Sequence, residues 1–251
     1  MVLSFEAGAL GVLATAVLAG AAVAGRALTW AAGAVAAAFG CVIVVLAGYP
    51  YLGLLVLFVA VSAAATRYRF AEKQARHVQE GSGGERGISN VVAHIVIPTG
   101  LAIALAAGAG PAPTLAALYA SALAFGASDT FASEFGVLAG RARSLLTLRP
   151  VTPGTNGGVS ARGEAFALAG AAFTAAVAAP LFVVFHAPIG PPVTFVLVVA
   201  VAGFLGCQID SALGELLENR GWLTKGSTNL LGMLGAVGVA LLLLRLAGAF
   251  R

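Results

Sequence analysis

Apolar segments of about 20 residues recur along the whole chain, and each can cross a hydrocarbon core that is roughly 30 Å thick. Within a bilayer only helices and closed barrels satisfy their own backbone hydrogen bonds. The period-two alternation of barrel strands is missing, and Ala, Leu and Gly dominate. We therefore predict an all-α fold, a polytopic membrane helix bundle of about eight transmembrane helices. The predicted spans are residues 5–24, 27–47, 49–65, 90–109, 113–139, 164–185, 192–217 and 228–250.

The composition excludes an ordinary water-soluble domain. Only 10% of the residues are charged and the mean hydropathy is +0.98, whereas soluble domains carry about 25% charged residues. The first span has one charge, Glu6, and no basic segment before it, which favours a membrane helix over a cleaved signal peptide. The net charge of +4 comes without a basic stripe or an aromatic platform, so we predict no nucleic-acid partner. Cys41 and Cys207 lie in predicted spans without metal-binding spacing, which indicates buried apolar side chains.

Basic residues mark one side of the membrane. Alternate loops contain or adjoin twelve of the fourteen Lys and Arg residues, and the opposite loops, "GYPY", "GAGPAP" and "HAPIGPP", hold none. The twelve are Arg26, Arg67, Arg69, Lys73, Arg76, Arg86, Arg141, Arg143, Arg149, Arg162, Arg220 and Lys225. By the positive-inside rule we expect these loops to face the cytoplasm and both termini to lie outside. The regular alternation also favours a count of eight helices.

Polar residues concentrate in five stretches, all on the predicted cytoplasmic side: residues 73–90, 127–136, 152–164, 208–219 and 224–229. Two of them repeat a pattern, "DTFASE" near the end of span five and "DSALGE" near the end of span seven. The similarity fits either a diverged two-unit internal repeat after residue 80 or a coincidence. An ionisable group inside a membrane span costs roughly 2.5 to 3.5 kcal/mol, so such carboxylates indicate function.

The carboxylates of these hexamers favour a site for Mg²⁺ or Mn²⁺. Asp129 and Glu134 are five positions apart and point about 140° from each other around a helix, as do Asp210 and Glu215. One helix therefore cannot easily present both carboxylates to one ion, but two helices together can. Oxygen ligands without a Cys and His cluster suit a hard cation whose shell is completed by phosphate oxygens. The alternative is that each glutamate pairs with a loop arginine.

Two glycine-rich loops supply a partner for phosphate. "EGSGGERG" at 80–87 and "GTNGG" at 154–158 let backbone N–H groups approach an anion, and each loop runs into the start of a helix, where the dipole favours negative charge. Basic side chains flank both loops, and their contacts with phosphate are among the strong hydrogen bonds. Two histidines each fit two roles. His77 fits a phosphate contact or a surface position, and His94 fits a functional site or a buried structural position.

Taken together, "KQARHVQEGSGGERGISN", "SDTFASEFG", "GTNGGVS" and "DSALG" resemble the motifs of one family of integral membrane proteins, domain of unknown function family 92. It includes transmembrane protein 19 and the plant phytyl-phosphate kinase. The resemblance covers about residues 70–232, and the first three helices match only in hydrophobicity. It implies two parts: three N-terminal helices at 1–66 and a catalytic membrane domain at 67–251.

The resemblance implies phosphorylation of an isoprenyl monophosphate, such as phytyl or geranylgeranyl phosphate, by a nucleoside triphosphate, with CTP expected. The positions carried over from the motifs are Lys73, His77, Glu80, Gly81, Ser82, Gly83, Gly84, Arg86, Asn90, Asp129, Ser133, Glu134, Thr155, Asn156, Gly157, Gly158, Ser160, Asp210, Ser211 and Asn229. Within this set we expect Asp129, Glu134 and Asp210 to hold Mg²⁺. Lys73, Arg86 and the glycine loops would hold phosphates, with His77 as a helper.

Other activities remain open at this stage. A cytidylyltransferase acting on a lipid phosphate would use similar loops and metals, and a lipid-phosphate phosphatase would need no nucleotide. A transporter of an anionic lipid or solute is the non-enzymatic alternative. The small residues of the first three helices are compatible with lipid binding, a scaffold role or a homo-oligomer.

Overall fold

The computed structural model describes residues 4–81 and 83–248. Within them, eight helices are long and apolar enough to cross a membrane. The helices are α1 (Phe5–Ala24), α2 (Trp30–Ala47), α3 (Tyr49–Arg67), the short α4 (Phe70–Ala75), α5 (Ile88–Ala106), α6 (Ala112–Gly136), α7 (Ala161–Val184), α8 (Pro192–Leu213) and α9 (Lys225–Leu246). A π-helical segment, Gly214–Glu218, continues α8.

The predicted helix bundle is confirmed, and two small elements add to it. The helix α4 is too short for a periodic signal in the sequence. The strands β1 (Ala142–Ser144), β2 (Pro150–Val151) and β3 (Gly158–Val159) form an antiparallel sheet in the order β2-β1-β3 between α6 and α7. Strands of two or three residues cannot show the alternation that predicts a strand.

Helix α6 is the centre of the bundle and packs against α3, α5, α7, α8 and α9. Its small residues allow this close packing, as is typical of helices in membranes. At Gly170 of α7, for example, a Cβ atom would lie 2.7 Å from the carbonyl oxygen of Ala127. The burial of α6 therefore follows from small side chains on α6 and on its neighbours, and it holds the polar end of α6 in one position.

The first three helices share a core with the later ones. Helix α2 packs against α5, and α3 packs against α6 and α7. Tyr51 on α3 lies edge-on to Tyr119 on α6, and the Tyr119 hydroxyl donates a 2.8 Å hydrogen bond to the Tyr51 carbonyl. These contacts fix α3 against the helix that carries Asp129.

One end of the bundle, which we call the basic end, carries the connections 25–29, 68–87, 137–160 and 219–224. Several helices begin there with a side-chain cap. Ser160 accepts a hydrogen bond from the backbone N–H of Gly163 at the start of α7, and Thr224 and Ser227 form a reciprocal capping box at the start of α9. These caps fix where the chain enters the bundle around the cavity described next.

Candidate functional site

A cavity of about 640 Å³ opens at the basic end, between the ends of α6 and α8 and the starts of α7 and α9. Among the residues predicted for the site, its lining includes His77, Glu80, Asp129, Ser133, Glu134, Thr155, Asn156, Gly157, Gly158, Ser160, Asp210, Ser211 and Asn229. These residues come from all five polar stretches of the sequence, so folding brings them to one place. The cavity also has polar lining that the sequence analysis did not select: Arg76, Gln79, Thr152, Glu164, Glu218 and Lys225.

The two aspartates of the chain face this cavity from neighbouring helices, Asp129 from α6 and Asp210 from α8. Within the described residues, neither side chain has a hydrogen bond or a salt bridge to another protein group, and the Oδ1 atom of Asp210 is fully buried. Gly232 on α9 makes room for this arrangement, because a Cβ atom there would lie 2.8 Å from the Cβ of Asp210. Half-buried carboxylates without protein partners are costly and indicate a missing partner of opposite charge.

Glu134 has a different environment from the aspartates. Its Oε2 accepts a 2.6 Å hydrogen bond from the ammonium group of Lys73, and its Oε1 accepts a 2.5 Å hydrogen bond from the Thr66 hydroxyl. Lys73 is completely buried and also donates to the carbonyl oxygens of Ala65 and Thr66, at 2.9 and 3.0 Å. All three ammonium protons are therefore used within the protein.

This geometry changes two expectations from the sequence. Lys73 holds α4 against α3 and α6, and its ammonium group has no donor left for a phosphate. Glu134 neutralises that lysine instead of joining Asp129 and Asp210. Over the ranges 4–81 and 83–248, no three His, Cys, Asp or Glu side chains come close enough together to hold a metal ion. A metal hypothesis therefore retains two carboxylates, Asp129 and Asp210, with phosphate oxygens as further ligands, which is a usual environment for Mg²⁺.

Arg86 lies beside the cavity, in a network of neutral partners. Its guanidinium donates to the Asn90 side-chain oxygen at 3.2 Å, to the Thr66 hydroxyl at 3.4 Å and to the Thr130 hydroxyl at 3.5 Å. In the part of the chain that the structure describes, no carboxylate forms a salt bridge with it, and its Nε–H is buried without a hydrogen bond. A half-buried arginine in this state retains the capacity to bind an anion.

The second glycine-rich loop is a wall of the cavity. Gly157 has a φ of +76°, and a Cβ atom there would lie 2.4 Å from the Cβ of Glu215 and 2.9 Å from the carbonyl oxygen of Ser211. Glu215 in turn accepts a 2.5 Å hydrogen bond from the Ser144 hydroxyl and a 3.2 Å one from the Leu146 N–H. The loop and the small sheet are thus attached to the end of α8 that carries Asp210.

The first glycine-rich loop is placed differently from its expected role. Gly81, Gly83 and Gly84 do not line the cavity, and Ser82 lies outside the described residues. Glu80 reaches the cavity and forms a 2.6 Å salt bridge with Lys225, which joins the loop to the start of α9. Burial by itself would raise the pKa of Glu80, but the charge and hydrogen bond of Lys225, together with the charge of Arg86, hold that pKa below its ordinary value of 4.5.

Sequence patterns did not reveal Thr66, Gln208 or Lys225. The Gln208 side chain donates a 2.8 Å hydrogen bond to Glu164, the first acidic residue of α7. Thr66 and Gln208 contact residues that are 68 and 44 positions away, so no local spacing indicates their roles. Lys225 had a signal that we did not use, namely a lone lysine within the polar stretch 224–229 that precedes the last apolar span.

Comparison with known proteins gives the following matches. The family model of the integral membrane protein DUF92 matches residues 13–245. An uncharacterized membrane protein of Synechocystis sp. is 34% identical over 196 residues, which cover 75% of this chain and 73% of the relative. An uncharacterized membrane protein of Methanocaldococcus jannaschii is 29% identical over 203 residues, covering 80% and 79%. Protein PGR of Arabidopsis thaliana is 30% identical over 194 residues, covering 70% and 67%. No solved structure matches the chain.

Proposed function

This chain belongs to the integral membrane protein family DUF92, and we propose that it is a prenyl-phosphate kinase, which transfers a phosphoryl group from a nucleoside triphosphate to an isoprenyl monophosphate. CTP is the expected donor. The observation that carries the proposal is the cavity at the basic end, where two unpaired aspartates face a glycine-rich loop and a lysine.

Charge supports a site for a cation and phosphates together. Two carboxylates without protein partners repel a phosphate, so they do not bind one unaided. A divalent cation held by Asp129 and Asp210 would offset that repulsion. The residues present fit Mg²⁺, which proteins usually hold through one or two carboxylates together with substrate phosphates. When bound, Mg²⁺ would neutralise charge on the transferred phosphoryl group.

The protein's own groups would hold the two substrates in place. In the loop 154–158 the N–H groups of Thr155 and Gly158 bond to carbonyl oxygens of the same segment, whereas those of Asn156 and Gly157 have no partner within the described residues and suit the phosphates of the nucleotide. Lys225 lines the same cavity, and its present partner Glu80 is exchangeable for a phosphate because the lysine side chain is 58% exposed. A volume of 640 Å³ falls in the range of about 300–1,000 Å³ found for small-molecule sites.

The transfer needs no strong general base. An oxygen of the acceptor monophosphate attacks the γ-phosphorus, and the bond from that phosphorus to the bridging oxygen of the β-phosphate breaks. The products are the isoprenyl diphosphate and the nucleoside diphosphate. Because a monophosphate has its second pKa near about 6, the attacking oxygen is already anionic at neutral pH. Positioning and charge neutralisation are therefore the main tasks of the site.

The direct test uses the purified protein in lipid nanodiscs with geranylgeranyl phosphate, Mg²⁺ and CTP labelled at either the α- or the γ-phosphorus. We expect γ-label in a lipid diphosphate and α-label in CDP. Incorporation of α-label into lipid with release of pyrophosphate would contradict the proposal and indicate a cytidylyltransferase. Absence of a lipid product with CTP, ATP, GTP and UTP would contradict any kinase assignment.

A further inference from the structure

A second, smaller slot of about 50 Å³ lies between α2, α3 and α5, next to Arg86. Most of its wall is apolar, with Leu28, Leu55, Phe58 and Ile95 among the lining side chains. A water molecule occupies about 30 Å³ in the liquid, so the slot has room for a few heavy atoms and not for a nucleotide. Its ligand is therefore different from the nucleotide expected in the large cavity.

Three of the residues that line this slot carry a polar atom without a partner. The Ser62 hydroxyl, the Nε2 of His94 and the Nε–H of Arg86 are all buried and have no hydrogen bond within the described residues. Ser62 and His94 are 1% and 3% exposed. A buried polar group without a partner costs about 1–3 kcal/mol. Three such groups beside one slot therefore indicate a polar ligand.

The His94 ring indicates which hydrogen-bonding group such a ligand has. Its Nδ1 lies 2.9 Å from the Asn90 carbonyl oxygen, which only accepts, so this nitrogen carries the proton and the Nε2 of a neutral ring is an acceptor. Phe58 and Phe125 stack with the ring at centroid distances of 5.6 and 6.3 Å and restrict its orientation. A singly protonated phosphate monoester can donate its P–OH to this nitrogen while its other oxygens accept from Arg86 and Ser62.

The slot also has an apolar opening towards the bilayer. Ala36 on α2 and Val59 and Ala63 on α3 line it and are only half-buried, and the outward neighbours on the same helices, such as Ala64, are exposed. In a membrane-spanning bundle such a surface meets hydrocarbon chains. A ligand that enters here is therefore amphipathic, with a hydrocarbon chain at the opening and a polar end inside.

Arg86 connects the slot with the large cavity. Its guanidinium contacts the Thr130 hydroxyl at 3.5 Å, and Thr130 is the neighbour of Asp129 on α6. A phosphate at Arg86 would therefore lie between the slot and the carboxylate that faces the nucleotide site. This placement is suitable for an acceptor phosphate.

We infer that the slot at Ser62, Arg86 and His94 binds the phosphate-bearing end of the lipid acceptor, a phosphate monoester on a hydrocarbon chain, and that the chain leaves between α2 and α3 into the bilayer. The inference rests on the proposed function in one respect, namely that this lipid phosphate is the acceptor of the phosphoryl group. Binding of the lipid phosphate itself is independent of turnover.

The kinetic test fills the opening of the slot. Ala63→Leu places a larger side chain on the slot wall, and Ala64→Leu adds the same side chain at the exposed neighbouring position as the matched control. We expect Ala63→Leu to raise the KM for geranylgeranyl phosphate at least tenfold while the KM for CTP changes less than twofold. Ala64→Leu should change neither. Equal effects of the two variants on the lipid KM would overturn the assignment.

The binding test does not require catalysis. A geranylgeranyl phosphate analogue with a diazirine near the phosphate is photolysed with the protein in nanodiscs, and the labelled peptides are identified by mass spectrometry. We expect labels on α3 and α5 around Ser62 and His94, with competition by unlabelled geranylgeranyl phosphate and none by geranylgeraniol or inorganic phosphate. Competition by inorganic phosphate alone would indicate a free-anion site, and labels confined to the large cavity would contradict the slot. Slot labelling without turnover would contradict the kinase function and leave the lipid-phosphate site supported.

Discussion

At the scale of single residues, the carboxylates near the membrane ends of α6 and α8 fall into two classes. Asp129 and Asp210 face the cavity without protein partners, whereas Glu134 and Glu215 bind groups of other elements. The repeated hexamers predicted a functional role for these residues, and in the structure the aspartate of each hexamer lines the cavity. Which glutamate binds what could not be predicted, because Lys73 and Ser144 lie 61 and 71 positions away from their partners.

The substitution Asp210→Asn separates function from stability. We expect a loss of about 100-fold or more in kcat/KM, which corresponds to roughly 3 kcal/mol of transition-state stabilisation. The midpoint of thermal unfolding in nanodiscs should stay equal or rise, because a neutral amide costs less to bury than an unpaired carboxylate. Glu85→Gln removes a negative charge outside the cavity and serves as the control. Retention of full Mg²⁺-dependent turnover by Asp210→Asn would refute the metal role.

The Lys73–Glu134 pair should behave as a structural ion pair. Glu134→Ala leaves a fully buried ammonium group without its counter-charge, and we expect a loss of about 3–5 kcal/mol in unfolding free energy. The double variant Lys73→Met with Glu134→Met removes both charges and should recover most of that loss. Thermal unfolding of the wild type, Glu134→Ala and the double variant measures the loss and its recovery. If the double variant is as unstable as Glu134→Ala, the pair does not have this role.

At the scale of elements, the basic end is held together by a few contacts between loops and helix ends. Strand β3 pairs with β1, and Glu215 attaches the sheet to the end of α8 through Ser144. Glu80 joins the first glycine-rich loop to α9. The sequence predicted two loops of equal role. The structure gives a cavity wall to the second loop only, because its close approach to α8 depends on Gly157, whereas Gly84 of the first loop packs against Phe70 and Thr66.

The close approach of Gly157 to α8 leads to a prediction with a matched control. Gly157→Ala introduces a Cβ atom 2.4 Å from the Cβ of Glu215, at a φ of +76°, and should displace the loop from the cavity. Gly140→Ala adds the same methyl group where nothing lies within 4 Å. We expect Gly157→Ala to abolish turnover and to lower stability by at least about 1–3 kcal/mol, and Gly140→Ala to be nearly neutral. Similar activity of the two variants would contradict the wall function of the loop.

The Glu80–Lys225 contact should make the first loop sensitive to acid. Because the pKa of Glu80 is held below 4.5 in the folded protein, its stabilising effect is present above that value and is lost as the pH falls through the folded pKa. Hydrogen exchange of residues 79–87 should therefore accelerate below about pH 4.5 beyond the intrinsic change. Glu80→Gln should show fast exchange at every pH. Glu72→Gln is the control, since Glu72 pairs with Arg69 and Arg76 within its own segment. Equal pH profiles for all three proteins would contradict the prediction.

At the scale of the whole molecule, the fold places nearly all its polar chemistry at one end. The eight spans could be predicted because about 20 apolar residues fix a membrane helix without tertiary information. The centre of the bundle could not, since several spans are rich in Ala and Gly, and small residues on one helix do not indicate which helices pack against it. The slot could not be predicted for a similar reason: the sequence left His94 open between a site and a buried structural position, and only packing brings it and Ser62 to Arg86.

Labelling from the two sides of the membrane tests the predicted orientation. In a background of Cys41→Ala and Cys207→Ala, which removes both native cysteines, Gly140→Cys probes the exposed connection after α6 and Ala109→Cys the exposed connection before it. Because basic loops remain on the cytoplasmic side, we expect a membrane-impermeant maleimide to label Ala109→Cys in intact cells and Gly140→Cys only after permeabilisation. The reverse pattern would place the cavity outside, away from cytoplasmic nucleotides, and would contradict the kinase proposal together with the orientation. Labelling of both positions in intact cells would contradict the crossing of the bilayer by α6, which lies between them.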